Sequence, residues 1–160
     1  MRLIVAAVGR LKDGAERELL EKYRSRFEAA GRRLGLGPAV WHEVSESRAG
    51  TPAQRCSEEA SALLKLARDA ERVIVLDIGG KPLSSDAFAG TLARMRDGGA
   101  KAAAMLIGGP DGLAPAILEA AHLKLSLGAI TLPHGLARIV LAEQLYRAAT
   151  ILAGHPYHRS

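Results

Sequence analysis

Five short apolar runs punctuate this chain of 160 residues, and each is followed by a stretch in which apolar residues recur at helical spacing. They are "RLIVAAV" (2–8), "AVWHEVS" (39–45), "RVIVLDI" (72–78), "AAAMLI" (102–107) and "LSLGAITL" (125–132). The second alternates weakly, while the others are apolar at nearly every position. A strand apolar on successive residues is covered on both faces, the condition of parallel strands sandwiched between helices. The expected fold is therefore α/β, one domain over 1–160, with a parallel-type sheet flanked by helices. No linker or low-complexity stretch divides it.

The intervening segments carry helix signals. Asp13 is placed to cap a helix running to about Arg33, with Leu19, Leu20, Tyr23 and Phe27 on one stripe before Gly35 and Gly37-Pro38 end it. Thr51-Pro52 is a cap followed by a first-turn proline, opening a helix to about Ala70. Ser84 or Ser85 opens the next, which closes near Asp97-Gly98-Gly99. Another begins near Ala114, and the last runs from about Gly135 to Ala153 before Gly154. This last helix has only Arg138, Glu143 and Arg147 as charged residues, and its apolar positions occupy nearly every face. Such a helix must be buried on more than one side, and one of those sides is expected to be a second copy of the chain.

Composition excludes several classes. With 48% hydrophobic and 24% charged residues the chain is ordinary and globular. The net charge of +5 is compatible with a polyanionic partner. It is spread evenly, +3 over residues 1–72 (14 basic, 11 acidic) and +2 over 73–160 (8 basic, 6 acidic). A single cysteine, Cys56, leaves no intrachain disulfide and suits a reducing cytoplasm. The opening "LIVAAV" is too short for a signal peptide, and no stretch is long and apolar enough to span a membrane.

Familiar cofactor motifs are missing. The first strand is followed by "VGRLKDG", where a dinucleotide fold would want G-x-G-x-x-G, and there is no P-loop or G-x-S-x-G elbow. His134, His155 and His158 could in principle ligate a metal, but no acidic cluster or further cysteine accompanies them, and none is expected. "IGGPDGL" (107–113) does stand out. It is a glycine-rich loop directly after a buried strand, where ligands bind in α/β sheets and where glycine lets backbone approach a ligand closely.

In order along the chain, "LDIGGKPLSS", "LIGGPDGL", "LSLGAITLPHGLARIVLAEQLYRA" and "HPYHR" resemble the bacterial 23S rRNA pseudouridine N3-methyltransferase family of the SPOUT superfamily. The likeness is most specific in the carboxy-terminal half, while 13–70 match in pattern only. It implies a homodimer that uses S-adenosyl-L-methionine to methylate N3 of a pseudouridine in 23S rRNA, on the assembled 70S ribosome. It also implies a carboxy-terminal trefoil knot, which periodicity alone would never suggest because threaded chains are so rare. By this resemblance the cofactor contacts are Leu76, Gly108, Leu127, Gly128, Ala129, Ile130, Thr131 and Leu132. An acid for the ribose would have to be Asp77 or Asp111. His158 is the expected base, with His134 second and Arg138 steadying charge, and Tyr157, Arg159 and Arg147 are expected to hold substrate. A plain ion pair of Arg147 with Glu143 four residues earlier, a helix-capping His134, a non-catalytic RNA-binding protein and a tRNA-modifying enzyme are the competing readings.

Overall fold

The computed structural model describes residues 1–157. β1 (Arg2–Val8) leads to α1 (Ala15–Gly31), a 3-10 turn (Arg32–Leu34) and β2 (Ala39–Val44), followed by α2 (Pro52–Ala67). Then come β3 (Arg72–Pro82), α3 (Ser85–Asp97), β4 (Ala102–Ile107), α4 (Pro115–Ala120), β5 (Leu123–Ser126) and α5 (His134–Leu152). The strands form one sheet in the order β2-β1-β4-β3-β5, with every pairing parallel.

Alternate residues of the same strands feed two cores. Leu3, Val5, Ile74, Met105 and Ile107 point to one face, against Phe27 of α1, Phe88 and Leu92 of α3, and Leu141 and Leu145 of α5. Ile4, Ala6, Val8, Val75, Ala104 and Leu106 point to the other, against Ala60, Leu63 and Ala67 of α2 and Ile117 of α4. Two covered faces explain why the strands read as unbroken apolar runs.

Three details differ from the sequence expectations. Asp13 does not cap α1. Gly14 holds that position at φ 140°, a conformation that favours glycine, with no side-chain cap bond, and Glu16 and Glu18 supply negative charge to the first turn. The last strand ends at Ser126 instead of continuing to 132. Gly128, at φ 115°, turns the chain out of extended backbone, and the Ser126 hydroxyl accepts the Gly128 N–H at 3.2 Å to close the turn. Finally, α5 satisfies its apolar circumference within one chain, because it lies between α1 and α3 on the sheet and leaves only Leu136 well exposed. Its composition by itself therefore does not demand a second copy. Thr51 and Ser84, by contrast, do cap α2 and α3, accepting the N–H of Gln54 and Ala87.

Candidate functional site

The carboxyl ends of β3, β4 and β5 open into a cleft of about 340 Å³. Its walls bring together Leu76, Gly108, Leu127, Gly128, Ile130, Thr131 and Leu132 from segments up to 56 residues apart (76 to 132). His134 and Ala137, from the start of α5, line it as well. Ala129 is exposed but is not on the wall. Ile130 stands 80% exposed, an apolar side chain held in water at the mouth.

One wall is built by an interruption in the sheet. β3 pairs with β5 at Leu76↔Leu125, breaks, and resumes at Lys81↔Leu125. The residues between, Asp77 to Gly80, are thrown out of the ladder, and bulges of this kind re-aim side chains beside functional sites. Gly80 is required there, since a Cβ would sit 2.6 Å from the Lys124 carbonyl oxygen. Buried Ser126 stitches this bulge to the next loop. Its hydroxyl lies 3.2 Å from the carbonyl oxygens of both Ile78 and Gly128. Asp77 and Ile78 thereby face the cleft.

The glycine loop forms the floor, closed by a Gly112 N–H to Gly109 C=O bond of 3.0 Å. α2 clasps it from behind. Arg55 makes two bonds to Asp111 (2.6 and 3.1 Å), and the Cys56 thiol donates to the Asp111 carbonyl at 3.4 Å. Burial pushes the Cys56 thiol up, helped by Asp111 and Glu59, so it stays protonated as that donor. Glu59 is 5% exposed. One of its oxygens accepts the Ser47 N–H at 2.9 Å, while the other is unpartnered and directed at Gly109. Nothing in the sequence pattern foretold this clasp, whose partners are 56 residues apart.

Gly108 matters for a reason other than the one its position suggested. A Cβ there would meet the Gly112 carbonyl oxygen at 2.8 Å and Leu113 Cδ2 at 2.9 Å. The loop's own closure therefore forbids a side chain, before any ligand does.

The expected polar residues divide. Arg138 is 3% exposed and off the cleft wall. It donates to the carbonyls of Val8 and of Gly9 (2.9 Å), and to Glu43 at 3.3 Å, tying α5 to the ends of β1 and β2. Burial pulls its pKa down against the attraction of Glu43. Burial likewise raises Glu43, but Arg17, the Leu11 amide and Arg138 outweigh it and hold that carboxyl below its ordinary range. Arg147 pairs with Glu143 one turn back, at 2.6 Å. Tyr157 rests on the same patch. Its hydroxyl donates to Glu143 at 3.2 Å, Arg147 lies over its ring at 5.0 Å, and its ring stands 4.7 Å from that of Tyr146. His158 and Arg159 lie outside the described residues. Among the described residues no group of His, Cys, Asp and Glu is arranged to hold a metal ion, and no helix is long and apolar enough to cross a membrane.

The tail contact yields a prediction. Burial, then the neighbouring Tyr23 hydroxyl and Glu143 carboxylate, push the Tyr157 phenol up to about 12, from an ordinary 10. The fold thus favours the neutral phenol. The contribution of this contact is complete below pH 10 and is lost as pH rises toward 12. An absorbance titration of phenolate should show one of the three tyrosines ionising late, and Tyr157→Phe should remove that step. A late step that survives the substitution would refute the assignment.

Comparison with known proteins agrees with this architecture. The family described as "Predicted SPOUT methyltransferase" matches residues 1–158. A protein of Rhodopseudomonas palustris (strain HaA2) called ribosomal RNA large subunit methyltransferase H is 52% identical over 160 residues, covering all of both chains. One of the same name from Brucella anthropi is 53% identical over 160 residues, again covering all of both. Among solved structures, a probable methyltransferase from Bordetella pertussis Tohama I superposes with a TM-score of 0.52 at 20% identity, covering 92% of this chain and 96% of that one. A probable methylase family protein from Haemophilus influenzae Rd KW20 gives 0.52 at 12% identity, over 99% of this chain and 70% of that one. At such identities these two bear on the fold alone. With a family match over nearly its whole length and relatives half identical end to end, the chain belongs to the SPOUT methyltransferases, in the family of ribosomal RNA large subunit methyltransferase H.

Proposed function

We propose that this protein transfers a methyl group from S-adenosyl-L-methionine to N3 of a pseudouridine in 23S rRNA, acting on the assembled 70S ribosome in the cytoplasm. The observation that carries the reading is identity of about half the residues, over the full chain, to relatives named for methylation of large-subunit rRNA.

The cleft suits the cofactor. A volume of about 340 Å³ is in the range of small-molecule sites. Apolar walls from Leu76, Leu127 and Leu132 fit a purine face, and the backbone exposed at Gly108 and Gly128 can meet its edge. Ile130 at the mouth gains cover when a ligand is seated. When bound, the cofactor supplies a methyl already activated by its sulfonium, which is left as a neutral thioether once the methyl has joined N3.

The chain's own residues must then orient the base and remove the N3 proton. His134 is on the cleft wall, and His158 is one residue beyond the anchored Tyr157. We assign the proton to His158, with His134 as the alternative, and substrate contacts to Tyr157, Arg159 and Arg147. Arg138, committed to Val8, Gly9 and Glu43, acts as a positioning residue that fixes the first turn of α5, and hence His134.

The tail supports a homodimer. Tyr157 is held at Glu143 and Arg147, about 14 and 20 Å along α5 from His134 at 1.5 Å per residue. Neither Glu143 nor Arg147 is on the cleft wall of the same chain, so we assign the base carried by the tail to the cleft of a second copy. The patch the tail springs from, with Tyr23, Tyr146, Arg26 and Arg147, has the aromatic and arginine composition of interface cores. A dimer carries formal charge +10 (twice +5), strengthening salt-sensitive attraction to rRNA. Light scattering at micromolar concentration should return twice the chain mass, and a monomer would refute this part. The trefoil knot belongs to the same reading, on the strength of the family.

Labelled S-adenosyl-L-methionine offered with free 23S rRNA, 50S subunits, 70S ribosomes and tRNA tests the function. Label is expected at a pseudouridine N3 of 23S rRNA and best with 70S. Labelling of tRNA alone, or of nothing, would overturn it.

A further inference from the structure

Among the described residues Asp77 is the one carboxylate on the cleft wall, and no lysine or arginine shares that wall with it. The other acids near the site are not on its wall. Asp111 is tied to Arg55 behind the glycine loop, and Glu59 is buried beneath Gly109. Among the described residues Asp77 has no ion-pair partner within 4 Å. It is only half-buried, so leaving it unpaired costs little in the free protein.

Its exposure to the cleft is also built in. An uninterrupted β3–β5 ladder would run through residue 77. Instead the chain leaves the ladder for four residues, with Gly80 permitting the excursion and Ser126 pinning it to the loop that forms the opposite wall. An unpaired negative charge presented to an otherwise apolar cleft raises the affinity for a cation, because water that would screen the pair leaves when the ligand enters.

Resting on the cofactor reading above, we infer that Asp77 is the specificity residue by which the cleft tells the sulfonium cofactor from its demethylated product. S-Adenosylmethionine and S-adenosylhomocysteine share adenine, ribose and amino-acid tail, and they differ by one methyl group and one positive charge. Methyl transfer abolishes that charge. The attraction to Asp77 then ceases in the same step, so the residue favours entry of the reactant and departure of the product.

Isothermal titration of the full chain with each ligand tests this directly. Asp77→Asn keeps the shape and removes the charge. It should weaken S-adenosylmethionine roughly tenfold and leave S-adenosylhomocysteine within about twofold, a change in ratio expected for one partly screened charge pair. Sinefungin, with an amine-bearing carbon in place of the sulfonium, should lose as much as the methyl donor. Asp77→Glu should restore most of the ratio. Intact binding of the product by Asp77→Asn also shows that its cleft is folded. Equal weakening of both ligands would overturn the inference and assign Asp77 to the shared ribose or to the bulge, and an unchanged ratio with unchanged affinities would overturn it as well. A parent protein that binds neither ligand would instead overturn the cofactor reading beneath it.

Discussion

Deleting Tyr157 to Ser160 should cut methyl transfer by two or more orders of magnitude while leaving the affinity for S-adenosylmethionine near that of the parent. The cleft is built from β3, the glycine loop, the 127–132 segment and the first turn of α5, none of which the deletion touches. What it removes is the assigned base and its anchor, and a positioned base contributes roughly 10²- to 10⁴-fold. His158→Ala alone should reproduce most of the loss. Tyr157→Phe keeps the ring contacts with Tyr146 and Arg147 but drops the bond to Glu143, so it should cost far less. Arg159→Ala should chiefly weaken rRNA binding and flatten its salt dependence by about one phosphate contact. Full activity in the truncated enzyme would return the tail to a surface role and move the proton to His134.

The second large effect is expected at Gly108. Replacement by valine puts a Cβ 2.8 Å from the Gly112 carbonyl oxygen, a backbone atom that cannot swing aside as a side-chain tip could. The loop must open, and with it the wall that the cofactor needs, so binding by calorimetry should fall below detection. Because the 109–112 turn is itself forced apart, thermal stability should also drop, by the 1–3 kcal/mol typical of overpacking. Gly112→Ala is the comparison. It has open space around its Cβ and bears only the strain of φ 88°, so it should retain measurable binding. Equal binding by Gly108→Val and the parent would put the site elsewhere.

Much of this molecule could be read from its sequence. Continuous apolar runs in β1, β3 and β4 report burial on both faces, and that condition is local enough to be written into consecutive residues. Thr51 and Ser84 act on amides three residues away, so their caps were legible too. The residues of the cleft were reachable because their glycines and apolar segments fall in a recognisable order. Features set by distant partners were not legible. The early end of β5 goes with the turn at Gly128 and with Ser126 reaching Ile78, 48 residues away, whereas a local reading of "LSLGAITL" favours strand throughout. Arg138 was expected to steady charge at the reacting base, yet the fold buries it against carbonyls about 130 residues earlier. Asp77 appears in sequence as one polar residue at the end of a strand. Its exposure to the cleft is decided by the bulge, which glycine at position 80 permits because a Cβ there would meet the Lys124 carbonyl oxygen at 2.6 Å. Periodicity and capping record what each residue does with its neighbours in the chain. Which charges are neutralised, and which are left facing the cleft, is decided by contacts between segments that only folding brings together.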